Sequence, residues 1–173
     1  MACALTTGRT VPCKSAFGGI KTVYMADFPV AATINADQTI DAFTGSPVFF
    51  QFDLKGNSSL ETTITSSRDN GTTFYTQTLN MTLTYLDNAT KNELQLIAVA
   101  RPVVCVEDYY GNVFLCGLEN GMEVTGGTIV TGAAAGDLSG FTLTMEGIEE
   151  TAPYFVDTGV VQALASSSKV VPN

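Results

Sequence analysis

The pair Asn70-Gly71, set between two long stretches of alternating polar and apolar residues, restricts the fold of this chain more than any other feature. A type I′ turn needs positive φ at both central residues, and Asn-Gly tolerates that conformation best. We therefore predict a β-hairpin centred on this pair. The predicted cross-strand pairs are Asp69 with Thr72, Thr65 with Thr76, Thr63 with Thr78 and Glu61 with Asn80.

This register sorts the hairpin into a polar face and an apolar face. A slip of one residue would mix the two sets, so the sorting supports the register independently of the turn. The apolar face collects Leu60, Ile64, Tyr75, Leu79, Met81 and Leu83.

The stretch from Pro47 to Leu54 predicts a third strand before the hairpin. A three-residue loop, Gly56-Asn57-Ser58, would keep its faces continuous with those of the hairpin, and so predicts a three-stranded meander. Val48, Phe50, Phe52 and Leu54 would then join the apolar face, and Phe49 would be the exception on the polar face. The predicted polar face consists of Gln51, Asp53, Glu61, Thr63, Thr65, Thr76, Thr78, Asn80, Thr82 and Thr84.

After Asp87 the apolar residues recur at helical spacing. Thr90-x-x-Glu93 has the form of a capping box, and Pro102 ends the run. We predict one short helix that covers a sheet. Shorter strands follow at Glu123–Thr125 and Gly140–Gly147.

A second hairpin, formed by residues 102–107 and 113–118, would place Cys105 directly across from Cys116. Such a pair is close enough for a disulfide if it is not hydrogen-bonded. The alternative, two small buried thiols, is favoured because cysteine is commonly buried and a cytosol is reducing.

Composition excludes several classes of function. The chain of 173 residues has no histidine, which excludes Ser-His-Asp and Cys-His catalysis as well as histidine-ligated zinc. Its net charge of -9 argues against binding nucleic acid by phosphate neutralisation. No apolar run is long enough for a signal peptide or a membrane span, so we expect synthesis in a cytosol. We expect a protein that is not an enzyme and uses no cofactor.

Two other groups of residues have plain interpretations. The glycine-rich run containing Gly126, Gly127, Gly132 and Gly136 lacks the Lys-Ser/Thr ending of a phosphate-binding loop, and is interpreted as a flexible arm or inter-subunit contact. The carboxylates Asp137, Glu146, Glu149 and Glu150 have no metal-binding spacing and are interpreted as solvated surface charge.

No linker divides the chain, so residues 1–173 are predicted to form one all-β, mainly antiparallel sandwich or barrel with one short covering helix and long loops. Residues 1–18 would form an N-terminal arm and residues 156–173 a C-terminal arm. The low charged fraction, 14%, indicates that partners cover part of the surface.

The order of these parts resembles the tail tube proteins of tailed bacteriophages and their relatives in bacterial injection systems. The segments Gly18-Gly19-Ile20-Lys21-Thr22-Val23-Tyr24, Arg68-Asp69-Asn70-Gly71-Thr72-Thr73-Phe74 and the closing run from Gly136 to Glu150 carry the resemblance. It implies a tail-tube-like fold whose subunits join their sheets into a ring, expected to be hexameric. Stacked rings would form a hollow tube in the virion tail, built from protein made in the host cytoplasm, through which DNA passes without specific binding.

Under this resemblance the polar face of the meander lines the tube, and Asp53 and Glu61 make the wall acidic. The expected partners are other copies of the chain and other tail or neck proteins of the virion. A capsid decoration protein, a neck or connector protein, and an adhesin-like binding module stay open as alternatives. The candidate inter-subunit residues are Lys55, Asn57, Arg68, Gly126, Gly127, Gly132 and Gly136.

Overall fold

The computed structural model describes residues 7–10, 14, 17–55 and 57–166. Over these residues the chain alternates long strands with short ones and contains helices after the sixth and the last strand. The elements are β1 (Ile20–Ala26), β2 (Ala31–Ile34), β3 (Thr39–Thr44), β4 (Phe50–Asp53), β5 (Ser59–Ser67), β6 (Thr72–Thr84), α1 (Asn88–Ile97), β7 (Val103–Asp108), β8 (Val113–Cys116), β9 (Glu123–Val130), β10 (Gly140–Glu149), β11 (Tyr154–Val156) and α2 (Thr158–Leu164).

The strands form two sheets that pack face to face. One sheet has seven strands in the order β2-β3-β11-β8-β7-β1-β4, and the other has four in the order β5-β6-β10-β9. Every pairing is antiparallel except that of β3 with β11, which is parallel. The prediction of an all-β sandwich with a short helix is confirmed.

The seven-stranded sheet is buried on both faces at its centre. Along β1, Val23 and Met25 point into a core shared with the four-stranded sheet, whereas Tyr24 and Ala26 point into a second core on the opposite side. Because successive side chains of a strand point to opposite faces, a strand covered on both sides reads as a continuous apolar run. The neighbouring strand β7 follows the same rule, with Val103 to Glu107 all buried.

Helix α2 covers the second core and corrects the prediction of a C-terminal arm. The sequence predicts an arm from Val156 onward, but Val156 lies in β11 and Val161 of α2 is fully buried. Residues 157–166 lack the long alternation that identifies a strand, and a seven-residue helix is too short for a clear period. Residues 167–173, and most of the predicted N-terminal arm, lie outside the described residues.

The predicted three-stranded meander is wrong, because its first strand belongs to the other sheet. β4 pairs with β1 at the edge of the seven-stranded sheet, while β5 pairs with β6. The chain crosses from one sheet to the other between Asp53 and Ser59, so the faces of β4 and β5 are not continuous. Phe49, expected on the wet face, is fully buried in the second core.

Helix α1 is confirmed, but its cap is not the predicted one. Asp87, three residues before Thr90, is the N-cap, and its carboxylate accepts hydrogen bonds from the backbone N–H of Ala89 and of Thr90 and from the Thr90 hydroxyl. Asp87 lies at the residue where the chain leaves the extended conformation, so its side chain reaches the free N–H groups first. Leu94 and Ile97 pack against the core between the sheets.

We expect Asp87→Ala to lower the free energy of unfolding by about 1 kcal/mol at neutral pH, because the first N–H groups of α1 lose their acceptor. The hydrogen bonds from Thr90, and then from Ala89, hold the pKa of Asp87 below its ordinary value. The carboxylate therefore stabilises the fold above about pH 3.9, the ordinary pKa, and this contribution is lost as pH falls through the lower pKa of the folded state.

Urea unfolding of the wild type, Asp87→Ala and Asp87→Asn across this pH range measures the effect. Asparagine keeps the cap but cannot titrate, so Asp87→Asn should approach the wild type at neutral pH and show a weaker loss in acid. Equal stability of Asp87→Ala and wild type at neutral pH would contradict the role of this cap.

Candidate assembly surface

The hairpin of β5 and β6 has the predicted faces but a different register. Thr63 lies opposite Thr76, and Glu61 lies opposite Thr78, two residues away from the predicted pairing. The turn spans residues 68–71, and Gly71 has a φ of +63° while Asn70 does not have positive φ, so the two-residue type I′ turn is not formed. A shift of two residues keeps every side chain on its own face because the strand repeat is two.

The predicted polar residues of β5 and β6 therefore share the side of the four-stranded sheet that points away from the seven-stranded sheet. We call this side the outer face. Its predicted members are Glu61, Thr63, Thr65, Thr76, Thr78, Asn80, Thr82 and Thr84. The side chains between them on β6, including Gln77, Leu79 and Met81, are buried against the other sheet.

Strands β10 and β9 extend the outer face beyond what the sequence predicts. Thr142 lies opposite Thr82 and Thr128, and Thr144 lies opposite Asn80. The hydroxyls of Thr128 and Thr142 are 2.6 Å apart, and the Thr144 hydroxyl donates to Asn80 Oδ1 at 2.8 Å. The alternation of threonine in β10 was a usable signal, but pairing between segments about sixty residues apart is not readable from one sequence.

The charged residues that the four strands place on the outer face are all acidic. None of the four strands contains lysine or arginine. Glu61, Glu146 and Glu123 lie in one row across the sheet, because Glu61 and Glu146 both face Thr78 and Glu146 faces Glu123. Arg101, outside these strands, contacts Glu123 with a nitrogen–oxygen distance of 3.2 Å.

The four-stranded sheet ends in two edge strands. No strand in the described part of the chain pairs with the far side of β5 or of β9. The two edges are offset along the strand direction. The middle residue of β5, Thr63, lies level with Thr76 of β6, whereas the middle of β9 lies nearly level with Met81 of β6. The offset of about five residues corresponds to about 17 Å at 3.4 Å per residue.

The remaining predicted polar residues, Gln51 and Asp53, are not on the outer face. They lie on β4, where Gln51 pairs with Tyr24 and Asp53 with Thr22 of β1. Gln51 donates a hydrogen bond to Asp53 at 2.8 Å. The two residues are therefore removed from the candidate surface, since the chain changes sheet after β4.

The predicted inter-subunit residues fall at the two ends of the sheet, with two exceptions. Arg68 is exposed in the β5–β6 turn, at the end opposite to Lys55 and Asn57. Gly132 and Gly136 lie in the β9–β10 loop, at the same end as Asn57. The exceptions, Gly126 and Gly127, belong to strand β9 rather than to a loop.

Aspartate organises the β9–β10 loop. Asp137 accepts hydrogen bonds from the N–H groups of Ala133 and Ala134 at 2.9 and 2.8 Å, and those of Ala134 and then Ala133 hold its pKa below the ordinary range. The loop is thus closed by its own side chain. Because the loop has these internal hydrogen bonds, its small residues do not by themselves indicate a flexible arm.

Buried polar groups stabilise the seven-stranded sheet and its contact with the four-stranded sheet. Tyr24 and Lys21 contact the two carboxylate oxygens of buried Glu107 at 2.8 and 2.9 Å. Gln77 of the four-stranded sheet accepts a hydrogen bond from the N–H of Gly117, next to the seven-stranded sheet. Such satisfied groups fix the relation of packed layers.

Glu149 is buried, which corrects its interpretation as surface charge. Its carboxylate accepts hydrogen bonds from the N–H groups of Glu119 and Asn120, and burial raises its pKa above the ordinary range. It fixes the loop between β8 and β9. Among the residues that the structure describes, no three acidic or cysteine side chains are grouped to hold a metal ion.

Cys105 and Cys116 are two buried free thiols, as favoured. They are not opposite each other: Cys105 faces Leu115 and Cys116 faces Val104, so the thiols point into different cores. The difference is one residue in the register of the β7–β8 hairpin. Burial raises the pKa of both, that of Cys116 to about 12. Cys3 and Cys13 lie outside the described residues.

No protein-family model, no curated protein and no solved structure matches this chain. Within the described ranges, none of the helices has the length and apolar character needed to traverse a membrane.

Proposed function

We propose that this chain is a structural protein of a phage virion, a tail tube subunit whose copies join their four-stranded sheets into rings. The rings, hexameric by the resemblance, stack into a tube that conducts DNA. The observation that carries the proposal is the open four-stranded sheet, which has one wet, hydroxyl-rich face and two edge strands that lack a partner within the described residues. Exposed sheet edges favour pairing with another chain.

The directions of the two edges suit a ring. β5 and β9 run in opposite directions, because three antiparallel pairings separate them. A copy rotated about an axis presents its β5 to the β9 of its neighbour in an antiparallel sense. The same contact repeats around the axis, which is a heterologous interface closed by rotation.

The offset of the edges also suits a closed barrel. Four strands span about 19 Å across the sheet at 4.8 Å each, and the edges are displaced by about 17 Å along it. For all copies of a ring to lie at the same height along the ring axis, the strands must tilt by about 40° from that axis. Closed β-barrels have tilts of about 35–45°. The offset between the two edges of one subunit therefore matches the strand tilt of a closed barrel.

The dimensions and the charge favour DNA passage. Twenty-four strands from six copies, tilted in this way, give a ring about 48 Å across between backbones, which is wider than a DNA duplex with side chains in place. The outer face becomes the wall of the tube. The four strands supply carboxylates and hydroxyls but no lysine or arginine, and Arg101 beside them is paired with Glu123, so DNA is weakly repelled and slides.

Size-exclusion chromatography and negative-stain microscopy of the purified protein test the proposal. Rings or tubes that show a central hole are the expected result. A monodisperse monomer at high concentration and low salt would contradict it. Particles that carry the protein only at capsid lattice positions would favour the alternative of a decoration protein.

We further expect the double variant Glu61→Lys/Glu146→Lys to assemble and to retain DNA inside its tubes at low salt, with retention falling steeply as salt rises. The wild type should retain none, as measured by fluorescence of labelled duplex that sediments with tubes. Asp27→Lys/Asp37→Lys is the matched control, since it makes the same charge change at exposed loops next to β2. Equal retention by both double variants would contradict a tube wall formed by the outer face.

A further inference from the structure

A cavity of about 450 Å³ lies between the sheets, directly under edge strand β5. Leu60 and Thr62 of β5 form one wall, and apolar side chains of the other sheet, among them Ile20, Val106 and Phe114, form the other. Next along the same face of β5, Ile64 is 63% exposed. The inward face of β5 thus alternates Leu60 and Ile64 with hydroxyl residues, and its own chain covers it incompletely.

The opposite edge of the sheet carries a matching projection. Ile129 of β9 lies opposite Phe141, which is buried, so Ile129 points to the inward side of the sheet. Directly opposed residues on paired strands share a face. Ile129 is nevertheless 65% exposed on this edge strand.

We propose that the cavity under β5 receives Ile129 of the neighbouring copy, an inference that rests on the proposed ring. When β9 joins the β5 of the next copy with the inward faces aligned, that copy can be displaced along the strands only by an even number of residues, because side chains alternate with a period of two. The offset of about five residues between the middles of β5 and β9 leaves displacements of about four or six residues.

Both displacements bring Ile129 to the cavity. A displacement of four residues sets Ile129 opposite Leu60 of the neighbour, and a displacement of six sets it opposite Thr62. Both of these residues line the cavity. An exposed isoleucine at one edge and a mainly apolar cavity at the other are then buried by the same contact, which favours a second copy as the occupant.

Disulfide trapping tests the contact. In a background with Cys3→Ser and Cys13→Ser, the pairs Ile129→Cys/Leu60→Cys and Ile129→Cys/Thr62→Cys are oxidised after assembly and resolved on a non-reducing gel. At least one pair should give ladders of linked subunits. The matched control is Ile129→Cys/Ser66→Cys, on the same strand and face but about 13 Å beyond Thr62, and it should give none.

A second variant tests the energetics. Ile129→Asp should raise the protein concentration needed for ring assembly by about tenfold or more, because a carboxylate would enter a mainly apolar cavity that already has Asp108 in its wall. Ile148→Asp is the matched control, since Ile148 is 52% exposed on the outer face. Circular dichroism should show that both variants fold as monomers.

The outcomes separate this inference from the proposed function. Rings that form without either cross-link, and with Ile129→Asp assembling like Ile148→Asp, would overturn the contact and leave the ring standing. Absence of any ring from the wild type would overturn both.

Discussion

The variant Phe49→Ala is expected to lose about 3–5 kcal/mol of unfolding free energy, the usual cost of removing a buried phenylalanine side chain. Phe49 is fully buried, and its ring lies 5.1 Å from that of Phe43. Its backbone N–H donates to the Leu164 carbonyl and its carbonyl accepts from the Ser166 N–H, so it joins the end of α2 and the residues after it to the second core. Alanine would leave a cavity, and the layers packed around Phe49 could not move together to fill it.

The adjacent Phe50→Ala is the matched control. Phe50 points to the other side of the strand and is 45% exposed, so its loss should cost less than about 1.5 kcal/mol. Urea unfolding of both variants measures the difference. Equal costs, or a larger cost at Phe50, would restore the face assignment that the sequence predicts and contradict the structure.

Gly140→Ala is expected to cost about 3 kcal/mol and to disturb the four-stranded sheet. A Cβ at Gly140 would stand 2.0 Å from the backbone carbonyl oxygen of Leu83 on the neighbouring strand. A backbone atom cannot rotate away like a side chain, so β6 and β10 would have to separate. Ring assembly should weaken with the fold, since this sheet forms the proposed interface.

Gly126→Ala is the matched control for this glycine. It lies on the adjacent strand β9, and an added Cβ would meet no atom within 4 Å. We expect a change of less than about 0.5 kcal/mol, typical of an open surface position. Thermal unfolding of the two variants checks the comparison, and a Gly140→Ala protein as stable as Gly126→Ala would show that the strands are farther apart.

The local patterns of the sequence were sufficient for the faces of β5 and β6. Threonine and asparagine alternate with Leu79 and Met81 over a long strand, and a register error of two residues leaves that division intact. The same reasoning failed at β4, because alternation reports which residues share a face but not which sheet the strand joins. It failed at Cys105 and Cys116 because an error of one residue reverses the face.

The sequence alone therefore determined the β class, the long two-faced hairpin and the helix after it, since each follows from periodicity within a dozen residues. Only the tertiary structure decided that β9 and β10 complete the outer face, that β4 and Phe49 belong to the other sheet, and that a cavity lies under one edge of the four-stranded sheet. These depend on pairing between distant segments, where the energy comes from burying complementary surfaces and no local pattern specifies the partner.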